Sequence, residues 1–166
     1  MTDNPILWAP DASRVSDSTM HRFLSTRGHA DYAALHRWSI DEPAAFWVAV
    51  CDFFDVQFDR PADAVLARPD DMMHPGWFEG SHLSFPRHLL RFTGPQPAIL
   101  YTGEDGARRC LSRDELRAAV AAMAAGLRNA GVRRGDRVAA FLPNCPEAVI
   151  GMLAATSIGA IWSSCS

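Results

Sequence analysis

The residue types that most often do chemistry are all present, and their spacing assembles none of them into a site. The six histidines are His21, His29, His36, His74, His82 and His88. His82 and His88 make an H-x5-H pair, but no acid or cysteine stands at zinc-ligand spacing around them, so surface or hydrogen-bonded histidines are expected. Cys51, Cys110, Cys145 and Cys165 are scattered without a C-x-x-C pair, which argues against a structural zinc site and gives no disulfide framework. Asp70 and Asp71 fall in a loop and read as solvated acids. Ser163, Ser164, Cys165 and Ser166 offer nucleophile-like side chains, yet no base is identifiable beside them and the G-x-S-x-G elbow is absent. Gly103-Glu104-Asp105-Gly106 could pass for a phosphate loop, but two acids would repel phosphate and the run suits a hairpin turn. Neither G-x-G-x-x-G nor G-x-x-x-x-G-K-[ST] occurs. The residues therefore nominate no catalytic, cofactor-binding or metal-binding position.

All 16 basic residues are arginine. A GC-rich coding sequence produces this bias, and its consequence is chemical: no phosphate-loop lysine, Schiff base or lysine contact to an acyl-adenylate can reside here. With 48% apolar and 21% charged residues, the 166-residue chain can bury an ordinary core and reads as one domain by length. A net charge of −3 gives no electrostatic reason to expect nucleic acid or an anionic membrane as partner. Met1 to Pro10 lacks a basic n-region followed by an apolar h-region, so no signal peptide is expected. Ala148 to Trp162 is too short and too interrupted to span a bilayer. Small thiols in a reducing cytoplasm are the expected setting.

The elements that would position any site fall into three stretches. Residues 1–57 read as helical, with helices about 13–27, 32–38 and 42–55. Val15, Met20, Phe23 and Leu24 lie near one face of the first, and Gly28 is its stop. The third carries Pro43 in its first turn and an aromatic packing stripe of Phe46, Trp47, Val50, Cys51 and Phe54. Residues 58–97 read as an irregular wrapping loop, because prolines at 61, 69, 75, 86, 95 and 97 break regular structure. Residues 98–166 read as a hairpin over 98–111, a helix over 113–130, a strand over 137–142, a helix over 145–157 and a strand over 160–164. Ser112 and Glu115 form a capping box for the first of these helices, whose inward face is Leu116, Val120, Met123 and Leu127. Asn144 with Glu147 three residues on is a second N-cap signal. Strand 137–142 is apolar at almost every position, which predicts cover on both faces and hence a parallel sheet. Strand, helix and strand then make a βαβ unit. In such sheets ligands gather at the carboxyl ends of the strands, here Leu142-Pro143-Asn144 and Ser163-Ser164-Cys165.

Five segments, in order, resemble the acetoacetyl-CoA synthetases, members of the acyl-adenylate-forming (AMP-binding) superfamily. Ile6-Leu7-Trp8-Ala9-Pro10 resembles their opening LW-x-P. Leu35-His36-Arg37-Trp38-Ser39-Ile40-Asp41 with Phe46-Trp47 looks like the helical N-terminal region shared with acetyl-CoA synthetases. Gly76-Trp77-Phe78-Glu79-Gly80 is similar to the WF-x-G loop. Arg134-Gly135-Asp136-Arg137-Val138-Ala139 and Leu142-Pro143-Asn144 match the first long parallel strand and its turn. Ile158-Gly159-Ala160-Ile161-Trp162-Ser163-Ser164-Cys165-Ser166 looks like the acetoacetyl branch, where acetyl-CoA synthetases usually read GAVHS. One departure is Leu83-Ser84-Phe85-Pro86-Arg87-His88-Leu89-Leu90, where the family often has LNYAENLL.

The resemblance implies an α/β fold: a helical N-terminal region over 1–97, then the start of an AMP-binding domain over 98–166. It implies a cytoplasmic, ATP-dependent acid–thiol ligase of lipid metabolism that takes acetoacetate, ATP and CoA with Mg²⁺. Members are several times longer, and their phosphate loop, ribose-binding aspartate and C-terminal lysine match no position here. The expectation is an inactive N-terminal fragment, with the rest of the enzyme as a possible separate chain and no nucleic-acid or membrane partner. A fragment of an acetyl/propionyl-type short-chain acyl-CoA synthetase and a non-catalytic interaction module of the same fold are the alternatives.

Overall fold

The computed structural model describes Pro5 and residues 7–166; Ile6 of the opening motif lies outside the described residues. The chain divides into two compact units, Met1–Val56 with Pro61–Ser81, and Gln57–Arg60 with His82–Ser166.

The first unit is built on four helices, α1 (Ala12–Ser16), α2 (Thr19–Thr26), α3 (Tyr32–Asp41) and α4 (Pro43–Phe53). The single helix expected over 13–27 is two. Asp17 ends the first and Ser18 caps the second, its hydroxyl accepting the His21 N–H at 3.0 Å, so a side-chain oxygen replaces the continuous backbone ladder. Val15 and Met20 consequently face solvent, while Phe23 and Leu24 enter the core with Leu35 and Ala49. Phe23 meets Phe46 and Phe53 edge-to-face at 6.0 and 5.1 Å between ring centroids. Pro43 begins α4 at a position where a missing N–H is tolerated.

The stretch expected to be an irregular loop holds regular structure. The strands β1 (Ala64–Ala67) and β2 (Gly76–Glu79) pair antiparallel, with Leu66 opposite Trp77. The helix α5 (Phe85–Leu89) follows, in the second unit. Pro69 follows β1, Pro75 precedes β2, Pro86 occupies the first turn of α5 and Pro97 opens the next strand, so prolines punctuate structure rather than abolish it. Trp77 stacks edge-on to Trp47 of α4 at 6.2 Å, which anchors the β1–β2 hairpin to the helices.

In the second unit, β3 (Pro97–Thr102) and β4 (Arg108–Ser112) form an antiparallel hairpin. Its turn is closed by Gly103 N–H on the Ala107 carbonyl at 2.8 Å, and Gly106 adopts φ +80. The helix α6 (Arg113–Asn129) starts on the expected capping box, with Ser112 Oγ accepting from Glu115 N and Glu115 Oε2 accepting from Ser112 N. Its buried face is Leu116, Val120 and Ala124. Met123, expected inside, is 40% exposed, because the true repeat runs in steps of four. Then come β5 (Arg137–Phe141), α7 (Pro146–Ser157) and β6 (Ile161–Cys165), with β5 and β6 parallel and Val138 beside Trp162. Leu153, Ala154 and Ala155 of α7 are buried, and α6 packs along it.

The expected parallel pairing is present, and within these residues α7 covers one face of β5: Val138 and Ala140 are half-buried, while Phe141 is 81% exposed.

Candidate functional site

The carboxyl ends of β5 and β6 lie side by side. Phe141 is the register partner of Cys165, and Leu142 N–H donates to the Cys165 carbonyl at 3.0 Å. The turn Leu142-Pro143-Asn144 leaves this edge and leads into α7. Asn144 was the expected cap of that helix. Pro146 instead takes the first helical position, which makes Cys145 the N-cap, and no side-chain bond closes it. On β6, Trp162 and Ser164 share the face turned to α7, and Trp162 Nε1 donates to Ser164 Oγ at 3.3 Å. The indole rests over Gly151 of α7. Trp162 is therefore a packing residue of the strand–helix layer.

The ionic groups at this end of α7 are bound to each other. Arg109 of β4 meets Glu147 in the first turn of α7 at 2.8 Å, each about half exposed. The Arg109 hydrogen bond, followed by the helix N–H, holds the Glu147 carboxyl below its ordinary pKa. The same partner raises Arg109. This pair fastens the hairpin to the helix that follows the edge, and sequence reading missed it because 38 residues separate the partners. What the edge offers a ligand is a thiol, hydroxyls and the amino end of α7.

The other chemistry-bearing residues are dispersed. Asp71 Oδ1 accepts the Met73 and His74 N–H groups at 3.1 and 3.0 Å, so this acid shapes its own loop. Asp105 does the same in the hairpin turn, accepting from Ala107 N–H at 2.9 Å. His82 joins Arg60 through backbone bonds. His88 departs from the expectation of a surface or hydrogen-bonded ring: its Nδ1 is buried without a partner among the described residues. No sequence signal marks that, since burial comes from the packing around α5. The four cysteines are free, and burial, followed by the Asp52 charge, raises the Cys51 thiol. Among the described residues no three His, Cys, Asp or Glu side chains gather as a metal site, and no helix is long and apolar enough to cross a membrane.

Two family models match in tandem: the acetyl-coenzyme A synthetase N-terminus over residues 32–85 and the AMP-binding enzyme over residues 89–166. The acetoacetyl-coenzyme A synthetase of Rhizobium meliloti (strain 1021) is 42% identical over 166 residues, covering 96% of this chain. Over nearly its whole length the chain is similar to acetoacetyl-CoA synthetases. The acetoacetyl-CoA synthetase of Macaca fascicularis is 38% identical over 97% of the chain. The solved acetoacetyl-CoA synthetase from Streptomyces lividans superposes with a TM-score of 0.88 at 42% identity, over 98% of this chain. The chain spans 25% of the length of the Rhizobium and Macaca proteins and 26% of the Streptomyces chain. These relatives match nearly all of this chain and extend well beyond it.

Proposed function

We propose that these residues are the opening quarter of an ATP-dependent acetoacetate–CoA ligase, and that they build scaffold rather than catalyse. The observation that supports this most is the Streptomyces superposition, which extends over both units of the chain at 42% identity. In the proposed reaction a carboxylate oxygen of acetoacetate attacks the α-phosphorus of ATP. The α–β anhydride bond breaks, and pyrophosphate leaves. The CoA thiolate then adds to the acyl carbon of the adenylate and AMP departs, so the thioester forms with no net redox change. Mg²⁺ would neutralise the phosphate oxygens during the first step. Using ATP and CoA, the ligase works in the cytoplasm.

The part assigned to this chain is structural. Parallel strands β5 and β6, held by α7, set an edge at Leu142–Asn144 and Ser163–Cys165 where the rest of the ligase, contiguous or separate, brings its phosphate-binding and acyl-binding groups. No residue here is assigned to bind ATP, Mg²⁺ or CoA. Acetoacetate-dependent exchange of labelled pyrophosphate into ATP tests both halves of the reading. The 166-residue chain should show none. The same chain extended by its downstream reading frame should exchange with acetoacetate in preference to acetate and propionate. Exchange by the 166 residues alone would overturn the scaffold role, and preference for acetate would overturn the substrate.

A further inference from the structure

We propose that the loop between β1 and β2 is a binding site for a soft monovalent cation, Cu(I), held by the thioethers of Met72 and Met73 and the imidazole of His74. The three residues are consecutive and open to solvent: Met72 is 92% and Met73 80% exposed, and the His74 side chain is 80% exposed. Methionines so exposed add nothing to a core. Two in succession beside a histidine place three soft or borderline donors in one short turn.

The turn is built to hold its shape. Asp71 N–H donates to the Arg68 carbonyl at 3.1 Å, and Arg68 Nε donates to the His74 carbonyl at 3.2 Å, so the two ends of the loop are tied. Inside it, Asp71 Oδ1 accepts both the Met73 and the His74 N–H groups. His74 Nδ1 faces the same carboxylate oxygen at 3.6 Å. A carboxylate beside one ring nitrogen orients a ligating imidazole and leaves the other, Nε2, for the metal. The long unbranched methionine side chains let both sulfurs swing onto a metal at Nε2 without moving the backbone. Thioether sulfur is neutral and polarisable, so it selects Cu(I). Mg²⁺ and Ca²⁺ take oxygen, and Zn²⁺ takes thiolate, imidazole or carboxylate. This reading rests on the β1–β2 loop alone and stands or falls independently of the ligase assignment.

Anaerobic NMR titration of the 166-residue chain, isotope-labelled at its methionine methyl groups, with Cu(I) buffered by a chromogenic chelator tests it. The four free thiols also take Cu(I), and methyl signals resolved by residue separate them from the loop. The Met72 and Met73 signals should shift together and saturate at one common Cu(I) activity, with the His74 ring signals moving in step. Met20 and Met123, isolated thioethers at 51% and 40% exposure, should stay in place. Met72→Leu and Met73→Leu keep the bulk and remove the sulfur. Each should weaken the response of the remaining loop signals by about tenfold or more. Zn²⁺ at the same concentrations should leave both loop methyls unmoved. Loop methyls that do not respond to Cu(I), an equal response at Met20, leucine variants that leave the His74 response unchanged, or an equal response to Zn²⁺ would each overturn the proposal.

Discussion

Gly151 of α7 is the seat of the Trp162 indole of β6: a Cβ added at Gly151 would lie 2.7 Å from the ring carbon Cη2 and 3.1 Å from Cζ3. The two residues lock helix to strand by the absence of a side chain on one and the flatness of the other. Gly151→Ala gains up to about 1 kcal/mol of helix propensity. It also forces a rigid ring from its place, and overpacking of this kind costs about 1–3 kcal/mol. The expected net result is destabilisation in urea unfolding, recovered when Trp162→Leu is added. A more stable Gly151→Ala would show that the ring moves freely.

Gly76 gives the opposite outcome from a similar crowding. A Cβ there would come within 2.2 Å of Glu79 Oε1 and 2.8 Å of Arg68 Nη2, the far ends of two flexible side chains. They swing away, and what is lost is their 2.6 Å ion pair, about half exposed on both sides. Gly76→Ala should therefore cost under about 1 kcal/mol. Thermal unfolding in low and high salt checks this: the variant should show less salt dependence than the parent chain.

The capping box fixes where α6 begins. Ser112→Ala should destabilise by about 1 kcal/mol in denaturant unfolding. Donation from the Ser112 N–H, then from its hydroxyl, lowers the Glu115 pKa. A carboxyl with a depressed folded-state pKa contributes stability that is complete above its unfolded value and fades as pH falls through the folded value. Acid titration of unfolding should thus lose a component in the parent chain that Glu115→Gln lacks. Equal acid sensitivity in both would contradict the assignment.

The Arg109–Glu147 bridge obeys the same sign, because Glu147 too is held low, chiefly by the arginine. Exposure screens the pair, so Glu147→Gln should cost no more than about 1 kcal/mol at neutral pH. Its clearer signature is mobility. Faster amide exchange in β4 and the first turn of α7 should accompany the substitution, with α6 protected as before.

Local chemistry made several elements legible in the sequence. The Ser112–Glu115 box and the Gly103–Gly106 turn act over three or four residues, so their side chains could be paired on paper. Proline density in 58–97 predicts an irregular run, yet Pro69 and Pro75 border β1 and β2, Pro86 sits in the first turn of α5 and Pro97 opens β3. At the candidate edge, Asn144 was the better cap by residue type, and Pro146 moved the cap to Cys145 by fixing where the helix could start.

By itself the sequence determined the order of helices and strands in residues 98–166, the capping of α6 and, through five motifs in register, the family. Those depend on neighbours in the chain and on residue type. The tertiary structure alone decided that His88 Nδ1 is enclosed without a partner among the described residues, that Arg109 reaches Glu147 and that Trp162 rests on Gly151. Each of these joins residues the chain keeps apart or depends on what lies beyond a face, and burial belongs to the packed arrangement rather than to any one segment.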